Sequence, residues 1–86
     1  MNKELCIHMN SREIYTFTVK PNESGYTIDK LWGALQNAIN NNCLNFEIPA
    51  GYGIVIRNRF RIVELSKLFL RLDNISSIEL YEKEKE

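Results

Sequence analysis

Three residues carry the side chains best suited to metal binding or nucleophilic chemistry: Cys6, His8 and Cys43. A structural zinc site uses four such ligands, usually in close pairs, and these three include no Cys-x-x-Cys pair. The two cysteines are far apart in the sequence and no secretory segment precedes them, which favours reduced, unpaired thiols. We therefore expect no metal site and no disulfide.

Nucleophilic catalysis would need a cysteine or serine with a histidine and an orienting carboxylate. The single histidine, His8, lies two residues from Cys6, and strand alternation would place both on one face. Nothing in the sequence supplies an oxyanion hole. The two aspartates, Asp29 and Asp73, are better explained by a helix start and a turn. We expect no catalytic residues, and a protein that is not an enzyme.

The segment Gly51-Tyr52-Gly53 is the one glycine pattern that invites comparison with a phosphate-binding loop. A P-loop requires a longer pattern ending in Lys-Ser or Lys-Thr, and a dinucleotide fold requires Gly-x-Gly-x-x-Gly at the start of a helix. Neither is present. The segment is predicted to join two strands, and no cofactor is expected.

The distribution of charge gives the sharpest functional hypothesis. Eleven basic residues balance eleven acidic ones overall, yet residues 51–78 hold five basic and two acidic residues. Arginines recur at every second position from 57 to 61, as on one face of a strand. We predict a basic, partly aromatic binding surface made by Tyr52, Arg57, Arg59, Arg61, Lys67, Phe69 and Arg71.

Three interpretations of this surface remain open. The basic residues could form a solvated face, matched in part by Glu47, Glu64, Glu79 and Glu82. They could bind carboxylates of an acidic protein, since guanidinium groups pair with carboxylates bidentately. They could also bind single-stranded nucleic acid, with bases stacked on the aromatic rings. The zero net charge weakens the nucleic-acid interpretation, because nonspecific affinity depends on neutralising phosphates.

The elements that must position these residues follow from hydrophobic periodicity. Residues 3–9 and 14–19 alternate between apolar and polar residues around a polar turn, which indicates a β-hairpin. A helical period begins after Thr27 and ends at 40–42, with Thr27 as the N-cap. Inside this helix, Gly33 is expected to allow close packing beneath Trp32. The apolar positions of the helix are Ile28, Leu31, Trp32, Leu35, Ala38 and Ile39.

The pattern in the second half of the chain predicts strands. Residues 44–48 alternate, and residues 53–63 form either one long strand or a hairpin bent at Asn58. In both cases Ile54, Ile56, Phe60 and Ile62 are expected to share the apolar face. Residues 64–72 fit a strand or a helix. We favour a strand with its leucines inward, because Asp73-Asn74 is a turn signal.

These elements predict a single α+β domain over residues 1–86, with a charged, frayed tail at 83–86. The order is β-β-α-β-β-β-β, with a mainly antiparallel sheet of five to six strands and one amphipathic helix packed on one face. No apolar run approaches the length needed to cross a bilayer, and no signal peptide is visible, so we expect a cytoplasmic protein without membrane contact.

In size, near-neutral charge and A/T-biased residue usage, with ten Asn and ten Ile, the chain resembles short accessory proteins of phages and mobile elements. Some of these inhibit host defence, as anti-CRISPR proteins do. The resemblance is one of general character and carries no functional residues across. It implies a small binding module whose partner is a host protein, with single-stranded nucleic acid as the alternative. Pairing of strand edges could also form a homodimer.

Overall fold

The structure is a computed structural model that describes residues 2–21 and 24–83, with only the backbone of residues 2 and 83. The chain begins with the predicted hairpin, made of β1 (Asn2–Met9) and β2 (Ile14–Val19). Leu5 pairs with Phe17 and Ile7 with Tyr15. All four side chains are buried, so the alternation in the sequence does mark the core face of both strands.

The predicted helix is present as α1 (Ile28–Asn40). The Thr27 hydroxyl caps it by accepting a hydrogen bond from the Lys30 amide at 3.1 Å. The helix ends at Asn40 with Asn41 as its C-cap, and the next residue, Asn42, has a φ of 59° in the left-handed region that asparagine tolerates. The explanation expected for Gly33 is wrong, because a Cβ atom there would meet nothing within 4 Å.

Five strands form one antiparallel sheet, which we call the large sheet. Its spatial order is β5-β4-β2-β1-β7. The strands β5 and β7 are therefore its two edges, and α1 packs on one face, above β1 and β2. The three strands added after the helix are β4 (Tyr52–Arg57), β5 (Ile62–Leu65) and β7 (Ile75–Lys83).

Two short strands form a separate antiparallel ribbon, β3 (Asn45–Glu47) with β6 (Phe69–Arg71). Leu70 of β6 is 1% exposed and belongs to the same core as Leu5 and Leu35. The ribbon therefore covers the same face of the large sheet as α1. Its strand β3 connects α1 to β4, and its strand β6 connects the β5 edge to the β7 edge through a 3-10 turn at Leu72–Asn74.

The predicted α+β class, with one helix on one face of an antiparallel sheet, is confirmed. The described residues contain seven strands rather than five or six, because residues 53–63 are a hairpin and the ribbon forms its own sheet. Of the predicted tail at 83–86, Lys83 ends β7 and residues 84–86 lie outside the described residues. No helix in the described part of the chain combines the length and apolarity needed to cross a bilayer.

Candidate functional site at the basic hairpin end

The turn between β4 and β5 is held by one asparagine. The side-chain oxygen of Asn58 accepts hydrogen bonds from the amides of Phe60, at 2.8 Å, and Arg61, at 3.0 Å. The Asn58 amide in turn donates to the Arg61 carbonyl at 3.1 Å. An asparagine that bonds its own downstream backbone replaces a regular ladder with a compact loop. Residues 58–61 thus form a turn of defined shape.

This turn changes which residues share a face of the large sheet. Arg57 pairs directly with Ile62, and paired residues of antiparallel strands lie on the same face. Ile62 therefore joins Arg57 on the open face, away from α1, and Phe60 lies in the turn. The expectation that Phe60 and Ile62 face the core is wrong: their side chains are 86% and 63% exposed.

Three arginines lie in and next to the turn that carries these two exposed apolar residues. Arg57 lies on the open face, and Arg59 and Arg61 lie in the turn; all three are exposed. The guanidinium carbon of Arg59 is 5.8 Å from the centre of the Phe60 ring, within range of a cation–π contact. Within the described residues none of the three forms an ion pair. We call this set the hairpin surface: Arg57, Arg59, Phe60, Arg61 and Ile62.

A fourth arginine, which the sequence prediction missed, lies beside this surface. Ile14 at the start of β2 pairs with Arg57 at the end of β4, so the β1–β2 turn lies next to the β4–β5 turn. Arg12 in that turn is exposed, with a φ of 73°. The sequence shows Arg12 in a polar turn, but only the order of strands in the sheet places it near residues 57–61.

Tyr52 does not belong to an exposed surface. Its side chain is 3% exposed, and its hydroxyl donates to the Thr27 carbonyl at 2.6 Å. Its ring lies edge-on to Tyr26, with centroids 5.4 Å apart. Burial raises the pKa of the Tyr52 hydroxyl. The residue links β4 to the start of α1, so its inclusion in the predicted binding surface was wrong.

The remaining predicted site residues lie on the other side of the molecule. Phe69 and Arg71 alternate with the buried Leu70, so they face outward from the ribbon, whereas Arg57 lies on the open face of the large sheet. Lys67 is also exposed, on the segment leading into the ribbon. The prediction of one contiguous basic face is therefore wrong, since Arg57 lies on the open face of the large sheet and Phe69 and Arg71 lie on the ribbon that covers the opposite face.

The Arg71 guanidinium group is already paired within the protein. It binds Asp73 through two hydrogen bonds, of 2.9 and 3.2 Å. The same interaction lowers the pKa of the Asp73 carboxyl group. The ribbon thus offers an exposed Phe69 without a concentrated positive charge, while the three arginines of the hairpin surface form no ion pair among the described residues, although Glu64 lies on the same face as Arg57.

The open face also carries a cluster of exposed polar groups near the β7 edge. The Glu79 carboxylate lies 2.9 Å from His8 Nε2 and accepts a hydrogen bond from the Tyr81 hydroxyl at 2.6 Å. These bonds, the one from Tyr81 first, lower the pKa of Glu79. The Cys6 thiol lies 3.7 Å from the Thr16 hydroxyl. Among the described residues no three His, Cys, Asp or Glu side chains are grouped as metal ligands.

Comparisons extend the view beyond this one chain. Searches against protein-family models, curated proteins and solved structures find no match. The function is therefore inferred from the geometry of the hairpin surface.

Proposed function

We propose that this protein is a non-catalytic cytoplasmic module that binds another protein through its hairpin surface. The observation that carries the proposal is the exposure of Phe60, 86%, between arginines that have no described carboxylate partner. An exposed phenylalanine leaves a large apolar area in water, and aromatic residues and arginine are enriched among residues that dominate protein interfaces. The surface has the composition of an interface centre.

A protein partner suits this surface better than single-stranded nucleic acid does. Nucleic-acid modules commonly stack several bases on rings spread over a groove or sheet, whereas the hairpin surface has one ring at a turn. Ile62 is exposed two residues after Phe60, and further along the open face Val55 is half-buried. Aliphatic side chains contribute apolar contact area but cannot neutralise phosphates. The net charge of zero further reduces any general attraction to nucleic acid.

We further propose the biological class that the general character of the sequence suggests. Small size, balanced charge and A/T-biased usage support an accessory protein of a phage or mobile element that inhibits a host factor. A rigid domain that presents one anchor is sufficient for such a role, because an inhibitor needs only to occupy a surface. The host factor is proposed as a protein, with an anti-CRISPR-like action as one example.

The experiment is affinity purification of the tagged, full-length protein from cells that naturally carry its gene, with nuclease treatment. The test variant carries Arg57→Glu, Arg59→Glu and Arg61→Glu. We expect the wild type to retain one stoichiometric protein that this variant loses. Fluorescence anisotropy with a fifteen-nucleotide oligothymidylate and the matching oligouridylate is measured in parallel, and we expect no saturable binding at 150 mM salt.

The matched control changes the net charge equally at the other end of the sheet. Its substitutions are Lys20→Glu, Lys30→Glu and Lys67→Glu, and the three lysines lie towards the Tyr52 end of β4. This variant should retain the partner as the wild type does. Equal loss with both variants, or tight oligonucleotide binding abolished by the arginine variant alone, would contradict the proposal.

A further inference from the structure

The shape of the hairpin surface restricts what can bind it. Phe60 lies in the four-residue turn of an edge hairpin, and 86% of its side chain is exposed. A ring at this turn can bury most of its area only if the partner surface is concave around it, because a flat surface covers just one face of the ring. The partner must therefore present a recess of about the size of a phenyl group.

The turn holds its shape before any partner arrives. Two backbone amides within the turn are bound by the Asn58 side chain, and the Asn58 amide closes the loop onto Arg61. Preorganisation reduces the conformational entropy lost on association, so more of the contact energy appears as affinity. The backbone that carries Phe60 and its flanking arginines is thus held in one shape before binding.

The charges around Phe60 specify the rim of that recess. Arg59 and Arg61 flank the ring in sequence, and Arg57 lies at the start of the turn, so its surroundings are positive. A guanidinium group that is desolvated on binding requires an anionic partner with matching geometry, and carboxylates accept two parallel hydrogen bonds. Without such partners, the arginines would oppose the burial of Phe60.

We infer that Phe60 enters an apolar recess on an acidic protein, rimmed by at least two carboxylates that pair with Arg59 and Arg61. This inference rests on the proposed function and adds the chemistry of the partner's site. It also assigns separate roles within the hairpin surface. Phe60 supplies the buried anchor, the two turn arginines set the orientation, and Asn58 keeps the three in place.

The test is site-specific photocrosslinking with the full-length protein in cells that naturally carry its gene. The photoreactive analogue p-benzoylphenylalanine replaces Phe60 in one sample and Phe69 in the control. Phe69 is a matched control because it is also exposed, at 60%, but lies on the ribbon. Circular dichroism of both purified proteins verifies that they are folded, and mass spectrometry identifies the crosslinked peptide.

The inference predicts a protein adduct from position 60, absent from position 69, on a partner segment that lines an apolar recess and has at least two Asp or Glu within reach. Arg59→Glu should then weaken binding by about tenfold or more, as for other interface anchors. Exchanging the partner's nearest carboxylate for arginine should restore part of that loss.

The other outcomes contradict different claims. A protein adduct from position 60 on a flat, neutral or basic surface would overturn the acidic recess and leave the proposed protein-binding function in place. Adducts of equal yield from position 69 would remove the special role of Phe60. Absence of any protein adduct, or an adduct to nucleic acid alone, would overturn the proposed function as well.

Discussion

At the scale of single residues, Glu79 shows how exposed hydrogen bonds affect ionisation. Tyr81 and His8 both bind its carboxylate, and each bond favours the charged form. We predict that Tyr81→Phe and His8→Ala each raise the pKa of Glu79 towards its ordinary value of 4.5, because each removes a group that favours the carboxylate. Nuclear magnetic resonance titration of the side-chain carboxyl carbon measures both changes. An unchanged or lower Glu79 pKa in either variant would contradict this explanation.

The lowered pKa values of Glu79 and Asp73 also affect how the stability of the fold depends on pH. A carboxyl group whose pKa is lower in the folded state stabilises the fold above its unfolded pKa, and this contribution disappears as the pH falls through the folded value. The described Asp73 and Glu79 both have lowered pKa values. Acid should therefore remove the stabilisation that these two carboxylates provide. Tyr81→Phe should reduce the difference in the free energy of unfolding between neutral pH and pH 3.

Arg12 gives a second prediction at this scale. The Arg12 amide donates to the Met9 carbonyl, and the Met9 amide donates to the Glu13 carbonyl. These bonds and the Arg12 φ of 73° are those of the left-handed position in a three-residue hairpin loop. Glycine adopts this conformation without the strain of about 1 kcal/mol that a side chain incurs. Arg12→Gly should raise the free energy of unfolding in urea by about that amount. An unchanged or lower stability would contradict this explanation.

At the scale of elements, two glycines should respond to the same substitution with opposite signs. A Cβ atom at Gly33, in the exposed part of α1, would contact nothing within 4 Å, whereas one at Gly51 would overlap the Tyr26 ring. We predict that Gly33→Ala stabilises the fold by about 0.5–1 kcal/mol, and that Gly51→Ala destabilises it by about 1–3 kcal/mol. Urea unfolding measures both. Changes of the same sign would contradict the packing described around Tyr26.

The elements also show what the sequence could and could not predict. Alternation correctly assigned the β1–β2 hairpin, and the helical period correctly assigned α1, because local spacing determines which side chains share a face. The same rule failed across Asn58. Counting every second residue assumes an unbroken strand. The turn at Asn58 breaks the strand, so Ile62 lies on the same face as Arg57 and not on the face of Ile54 and Ile56. The exposed apolar residues of the candidate site were therefore predicted to be core.

At the scale of the whole molecule, Leu70 is the fully buried side chain that joins the ribbon to the core, with Phe46 packed partly buried beside it. Leu70 is 1% exposed and joins the ribbon to the core, and the neighbouring Leu44 is 61% exposed. Leu70→Ala should lower the free energy of unfolding by about 2–5 kcal/mol, as for other buried leucines. Leu44→Ala, the matched control, should change it by about 0.5 kcal/mol or less. Similar effects of the two substitutions would contradict the placement of the ribbon.

The arrangement of the layers could not be predicted from the sequence. Periodicity reports which residues of β6 face inward, and Leu70 was predicted correctly, but it does not report which strands are neighbours. The chain crosses from one edge of the large sheet to the other over the face that α1 covers. This crossing separates Phe69 and Arg71 from Arg57. The hairpin surface is therefore smaller than the binding surface predicted from the sequence, and its arginines are closer together in the chain.

The central claim is that the hairpin surface, rather than the ribbon, contacts a protein partner. Its most direct test is the recovery of the co-purifying protein from cells that express Phe60→Ala or Phe69→Ala at equal levels. Both substitutions remove one exposed phenyl ring, so they differ mainly in position. We predict that Phe60→Ala reduces recovery about tenfold or more, while Phe69→Ala leaves it within about twofold of the wild type. Full recovery with Phe60→Ala, or loss with Phe69→Ala alone, would contradict the claim.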